Sequence, residues 1–273
     1  MLTIKLLHIP GRTRNTGRAL QRALNTIYGS TAREYRLRPT ETLTSVNSGP
    51  CDYLVRWGSA ADTAEPRSGI TFQSKDSILK ASDKLRMLQM FKAGQTPGPK
   101  FWEYTAFDTI TQFPVVVRAR KHFQGQAFFV VNSRQELQRY KTSNYYAMEL
   151  INIKDEFRVF VCMGKVFEIN KKIKDPTRRD TINPIIRNYE NGWIMRRGGW
   201  GEVPHGIRHA AISAATATGL DFGAADVYVD TQGRVGVFEI NSAPGLVQRK
   251  VDKLAVKILK KFKLISEAYT LPV

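Results

Sequence analysis

Residues 219–246 read GLDFGAADVYVDTQGRVGVFEINSAPGL, and the fold turns on how they pair. Two apolar runs, 224–229 and 234–240, flank a DTQG turn, which predicts a β-hairpin. Strand side chains alternate faces, so Glu239 and Asn241 point the same way. With the turn centred on Thr231–Gln232, Asp226 falls opposite Val237, diagonal to Glu239 and about 7–8 Å from it. A loop of three or five residues would shift that parity. Two carboxylates and an amide oxygen are hard donors of the kind preferred by Mg²⁺ or Mn²⁺. The alternative is an ordinary polar face on a surface hairpin. Ala224, Val227, Val237, Phe238 and Ile240 surround the acids with apolar side chains, where unpaired carboxylates are costly.

Working outward, the same chemistry asks for cations on other elements, because a metal alone does not neutralise a polyphosphate. Arg118 closes the apolar run PVVVR, just before a turn containing Gly125, and strand ends feeding glycine turns offer backbone N–H groups to phosphate. Lys84 stands at the start of a helix expected to be capped by Ser82. Lys172 ends a strand whose polar face also carries Glu168 and Asn170. Singly, each of these is an ordinary solvated residue; jointly they outline a phosphate site.

The remaining chain predicts strands in pairs with helices between them, an α+β (α/β) chain rather than a doubly wound sheet. An opening strand (2–9), a helix (18–27, Thr16 as cap) and a strand (52–57) form a small α/β lobe. Helical spacing runs over 75–93 and stops at Gly94 and the TPGP run, and 133–140 and 208–218 are further helices. Strands at 157–163 and 166–173 join at Met163–Gly164. In 249–265, Val251, Leu254, Ile258 and Phe262 share a face, and this basic amphipathic helix is expected to cap its own domain.

Composition bounds the function. The 273 residues carry 42 Lys+Arg against 24 Asp+Glu, a net charge of +18 that attracts polyanions. Apolar runs such as 115–117 fall far short of the roughly 18–20 residues that cross a bilayer. Met1–Pro10 reads as a strand containing Lys5 and His8, not as a signal peptide. Two cysteines make no disulfide framework. Together these point to a soluble cytoplasmic protein with no membrane partner.

From about Lys75 to Val247 the sequence resembles the ATP-grasp enzymes, specifically the RimK-like carboxylate–amine ligases. Five blocks stand in the family's order: SDKLRMLQMFKAGQTP (82–97), PVVVR…QG (114–125), EFRVFVCMGKVFEINKK (156–172), RN…NGW (187–193) and ADVYVD…VFEINSAPGL. The resemblance implies a pre-grasp lobe over 1–78, a small lobe with the phosphate loop over 79–148 and a metal-hairpin lobe over 149–273. By the same resemblance, Asp226, Glu239 and Asn241 hold Mg²⁺ (or Mn²⁺) against ATP, and Lys84 and Arg118 touch phosphates. Glu149, Leu150 and Ile151 form the hinge that reads adenine, and Glu156 accepts from the ribose. Lys172, Arg187 and Asn188 complete the phosphate surroundings, with Arg187, Lys172 and Arg118 as the catalytic cations.

The implied reaction joins a carboxylate to an amine (amino acid, peptide or modified nucleotide) through an acyl phosphate. Two departures from the family stand out. Arg118 replaces the usual lysine, and the bulkier KHFQGQ replaces the glycine-rich lid turn, making Lys121 and His122 candidate substrate contacts. A rival reading is nucleic-acid binding on the same fold. Its support is the basic clusters at 171–174, 178–179 and 196–197, the last flanked by Trp193 and Trp200. The two combine if the acceptor is nucleic acid or an acidic polypeptide.

Overall fold

A computed structural model describes residues 3–9, 14–31, 38–43, 51–121, 127–178, 182–198 and 202–271. His122, Gly125, Arg179 and Trp200 lie outside the described residues. The elements run β1 (Thr3–His8), α1 (Arg14–Thr31), β2 (Arg38–Leu43), β3 (Tyr53–Trp57), β4 (Thr71–Phe72), α2 (Lys75–Ser82) and α3 (Lys84–Ala93). There follow β5 (Phe101–Glu103), β6 (Val115–Ala119), β7 (Phe128–Val131), α4 (Arg134–Gln138), β8 (Tyr145–Glu149), β9 (Ile153–Cys162) and β10 (Lys165–Lys174). The last are β11 (Trp193–Arg197), α5 (Ile207–Thr218), β12 (Phe222–Asp230), β13 (Val235–Asn241) and α6 (Gln248–Lys261). No helix among the described residues is long and apolar enough to cross a membrane.

The chain divides into two compact units. One comprises residues 1–79, 219–223 and 242–273. It contains a parallel sheet in the order β2-β1-β3-β4. Its α1 and α6 pack on each other. α6 buries Val251, Leu254, Ile258 and Leu259, and Phe262 just beyond it stacks on Tyr53 at 4.6 Å. The basic helix therefore does cap its own unit, and each such buried side chain contributes roughly 1.5–3 kcal/mol. α1 begins earlier than the periodicity suggested, so Thr16 lies inside the helix rather than capping it.

The other unit comprises residues 80–218 and 224–241 and holds two sheets, β5-β8-β6-β7 and β11-β10-β9-β12-β13. In the first, Phe107, Ile110, Val115, Val117, Val131, Leu137 and Ala147 form a buried cluster. In the second, α5 packs against β9, β10 and β13. Its Ala210, Ala211, Ala214 and Ala215 are all buried, and such small side chains let a helix lie close to its neighbours. β13 is an edge strand, and two of its N–H groups find partners outside the sheet: Val237 donates to the Pro97 carbonyl at 2.8 Å and Ile240 to Met87 Sδ at 3.4 Å. α3 is thereby held along that edge.

Candidate active site

The hairpin departs from the expected register in two ways that offset each other. Asp230 N–H donates to the Arg234 carbonyl at 3.0 Å, enclosing the three residues Thr231–Gly233, with Gly233 at φ +83°. Such a loop would place Asp226 opposite Phe238. The ladder instead shifts between Asp226 and Val227, pairing Val227 with Val237 but Asp226 with Glu239. Phe238 is the extra residue of a β-bulge, and its ring packs at a tilt against Tyr228, centroids 4.4 Å apart. Asp226 is thus directly opposite Glu239, not diagonal to it, and Asn241 follows opposite Ala224 on the same face.

Like charges directly opposite each other repel, so the acids need cations. Arg158 supplies the first: its Nε and Nη2 each donate to an Asp226 carboxylate oxygen at 2.8 Å. The Asp226 carboxylate in turn holds the Arg158 guanidinium above its already high ordinary pKa. Lys84 supplies the second, its Nζ 3.2 Å from Glu239 Oε2, while Asn241 Nδ2 donates to Glu239 Oε1 at 2.9 Å. Glu156 and Arg158 lie two apart on β9 and so share a face; across the ladder they oppose Lys172 and Asn170 of β10. Lys172 Nζ bonds the Glu156 carboxylate, and both are buried. Burial pushes the Glu156 carboxyl above its usual range, with Lys172 pulling it back and Asp226 adding to the rise.

α3 carries Lys84 into place through its first turn. The cap is Asp83 rather than Ser82, which ends α2: an Asp83 carboxylate oxygen accepts from Arg86 N–H at 3.1 Å. The same carboxylate takes Arg120 Nη2 at 2.7 Å, and Lys84 N–H donates to the Arg120 carbonyl at 2.9 Å. The helix start is therefore tied to the chain just past β6. Two residues earlier, Arg118 pairs across the ladder with Tyr146 and lies over the Phe128 ring at 5.6 Å. Burial raises the Tyr146 hydroxyl to about 12, with Arg118 opposing and Glu239 and Asp83 adding. Arg118, Lys84 and Glu239 thus belong to one electrostatic neighbourhood.

The other expected residues are held mainly by backbone. Glu149 ends β8, where its N–H donates to the Lys100 carbonyl at 2.9 Å and its carboxylate accepts from Lys100 N–H at 2.8 Å. Leu150 and Ile151, half-buried, link β8 to β9. Arg187 Nη2 donates to the Ile153 carbonyl at 2.7 Å, and the guanidinium covers the Trp193 ring at 4.5 Å. Burial lowers its pKa, with Glu156 and Asp155 resisting. Asn188 caps the 3-10 turn 189–191 by accepting from Asn191 N–H at 3.0 Å. Lys121 is exposed.

The structure therefore gathers three contact groups on neighbouring strands: Lys172 with Glu156, Arg158 with Asp226, and Lys84 with Glu239 and Asn241; of these residues, Arg158 is the addition. That residue had no role in the sequence expectations, although its i, i+2 spacing from Glu156 on a strand was the available signal. The basic clusters are largely engaged. Lys171 pairs with Asp155 at 2.6 Å, Arg178 donates to the Tyr189 carbonyl at 2.9 Å, and Arg197 lies 3.8 Å from Glu168. Trp193 is buried, and its Nε1 donates to the Asn183 carbonyl at 2.8 Å, which is packing rather than an open stacking surface.

Solved structures share this architecture over nearly the whole chain. The ATP-grasp ligase PsnB with a minimal precursor superposes with TM-score 0.64 at 13% identity, covering 95% of this chain and 99% of that one. D-alanine–D-alanine ligase from Bacillus anthracis gives 0.64 at 14% identity, covering 97% and 96%. A RimK-domain ATP-grasp protein from Sphaerobacter thermophilus gives 0.60 at 15%, covering 94% and 98%. The chain has the ATP-grasp fold. No family model and no curated protein matches the sequence.

Proposed function

We propose that this ATP-grasp chain is an ATP-dependent carboxylate–amine ligase that forms an amide or peptide bond through an acyl phosphate. The observation that carries the reading is one sheet face on which Glu156, Asp226 and Glu239 are each matched to a cation: Lys172, Arg158 and Lys84. The three-lobe division at 78/79 and 148/149 belongs to the same proposal.

The donor set suits a hard divalent ion. Asp226 and Glu239 face each other in register, and Asn241 spends Nδ2 rather than its oxygen on Glu239. A carboxylate oxygen in one hydrogen bond keeps a second lone pair, so the ion pairs do not exhaust the acids. A bound Mg²⁺ or Mn²⁺ would supply charge neutralisation of the phosphates. Lys84, Arg118, Lys172 and Arg187, with Asn188, would bind and orient those phosphates. The 149–151 hinge would hold adenine, and Glu156 would accept from the ribose hydroxyls.

A substrate carboxylate oxygen attacks the γ-phosphorus in line, and the bond to ADP breaks. The amine then attacks the acyl carbon, loses its proton, and expels inorganic phosphate. Fixed cations that are already in place stabilise charge in both steps without reorganising. Two neighbours support the substrates: PsnB has been solved with Mg and ADP, and D-alanine–D-alanine ligase with ATP. The net charge of +18 favours an anionic acceptor.

The test is ADP release from Mg-ATP across amino acids, acidic peptides and nucleic acids. Asp226→Asn and Glu239→Gln should abolish turnover while the circular dichroism spectrum stays native. Undiminished release in either variant would reject the proposal. Salt-dependent nucleic-acid binding without ATP turnover would favour the binding reading instead.

A further inference from the structure

The hairpin that carries Asp226, Glu239 and Asn241 is entered through Asp221–Phe222 and left through Ser242. One side chain meets both passages. Gln73, immediately after β4, is fully buried and sits at φ +68°. Its Nε2 donates to the Ser242 carbonyl at 2.7 Å, and its Oε1 accepts from Phe222 N–H at 3.4 Å. Its own backbone N–H donates to Asp221 Oδ2 at 2.7 Å, and the other Asp221 oxygen takes Lys261 Nζ at 2.6 Å. All of these residues belong to the same compact unit.

We propose that Gln73 is a positioning residue, its amide clamping both ends of the hairpin so that Asp226, Glu239 and Asn241 keep a common face. Three features point this way. A left-handed backbone at a non-glycine residue is strained and persists only where its surroundings over-determine it. The side chain is an amide, which has the donor and the acceptor that the two strands demand at opposite ends. Asn241 is adjacent in sequence to the clamped Ser242, and Asp226 lies four residues beyond Phe222. A one-residue slip would turn a strand's whole set of side chains to the other face, and a clamp at the base of the hairpin opposes such a slip without touching substrate.

This inference rests on the ligase reading, and the experiment separates the two. Gln73→Glu is nearly isosteric and keeps the acceptor for Phe222, but it turns a carboxylate oxygen toward the Ser242 carbonyl. Gln73→Gly relieves the left-handed strain and removes both bonds. For each variant, three quantities are compared with the wild type: amide hydrogen exchange over 220–244, the Mg²⁺ concentration giving half of the Mg-ATP-dependent melting shift, and kcat for ADP release. The expected result is exchange at least tenfold faster at Phe222 in Gln73→Gly but not in Gln73→Glu. Both variants should need at least tenfold more Mg²⁺, with exchange in β9 and β10 unchanged. A wild-type Mg²⁺ requirement in both variants would overturn the clamp while leaving the ligase reading intact. So would faster exchange spread uniformly over the chain, the mark of plain destabilisation. A wild type without any Mg-ATP melting shift or ADP release would overturn the ligase reading and the clamp together.

Discussion

Replacing Arg158 by Met removes the guanidinium that holds Asp226 and keeps most of the apolar stem. Asp226 is 6% exposed, accepts two N–H···O bonds of 2.8 Å from Arg158, and faces Glu239 directly across the ladder. Removing one partner of a buried pair costs about 3–5 kcal/mol, because the remaining charge is left desolvated. The Arg158 side chain keeps 29% exposure, which admits water to the vacated space and puts the expected loss at about 2–3 kcal/mol. At about 2–4 °C per kcal/mol for a domain of this size, the melting point should fall by roughly 5–10 °C. Urea unfolding of the wild type, Arg158→Met, Asp226→Asn and the double variant closes a thermodynamic cycle. The double variant should recover part of the loss, giving a coupling of about 1–3 kcal/mol. A single-variant loss below about 0.5 kcal/mol, or a coupling indistinguishable from zero, would refute the claim that Arg158 neutralises the opposed acids.

Two further outcomes are expected. Because burial raises the Glu156 carboxyl in the folded chain, its stabilising contribution is fully present below the usual carboxylate pKa of about 4.3 and is lost as pH rises through the raised value. The stability advantage of wild type over Glu156→Gln, followed by urea midpoints from pH 4 to 8, should therefore shrink with rising pH; growth would mean that Lys172 outweighs burial. Phe262→Ala should cost about 3–5 kcal/mol, since the ring is 1% exposed and stacks on Tyr53; a loss under 1 kcal/mol by denaturant titration would show that the ring does not seal α6.

Period and punctuation made most elements legible: the apolar face of 249–265, the breaker run after Gly94, and the two hairpins over 153–174 and 222–241 all stand where spacing put them. What local pattern could not give was the outcome of competition between neighbours. Ser82 and Asp83 are both good caps, and the contest goes to Asp83 because Arg120, 37 residues away in sequence, also binds its carboxylate. Asn188 is equally suited to phosphate or to capping, and the 3-10 turn that follows engages it. The register of the acids escaped because two irregularities, a three-residue loop and a bulge, leave no mark on composition. Arg158 escaped because its importance lies in a partner 68 positions along the chain.

The bulge at Phe238 makes the two strands unequal in what they tolerate. Losing a residue between Gly236 and Glu239 would regularise the ladder and leave the two carboxylates confronting each other. Losing one between Asp226 and Tyr228 would turn Asp226 toward the buried face that Ala225 and Val227 occupy and strand Arg158 without its anion. Length variation among descendants of this gene, or trimming by an engineer, should therefore be found on the second strand of the pair and be forbidden on the first.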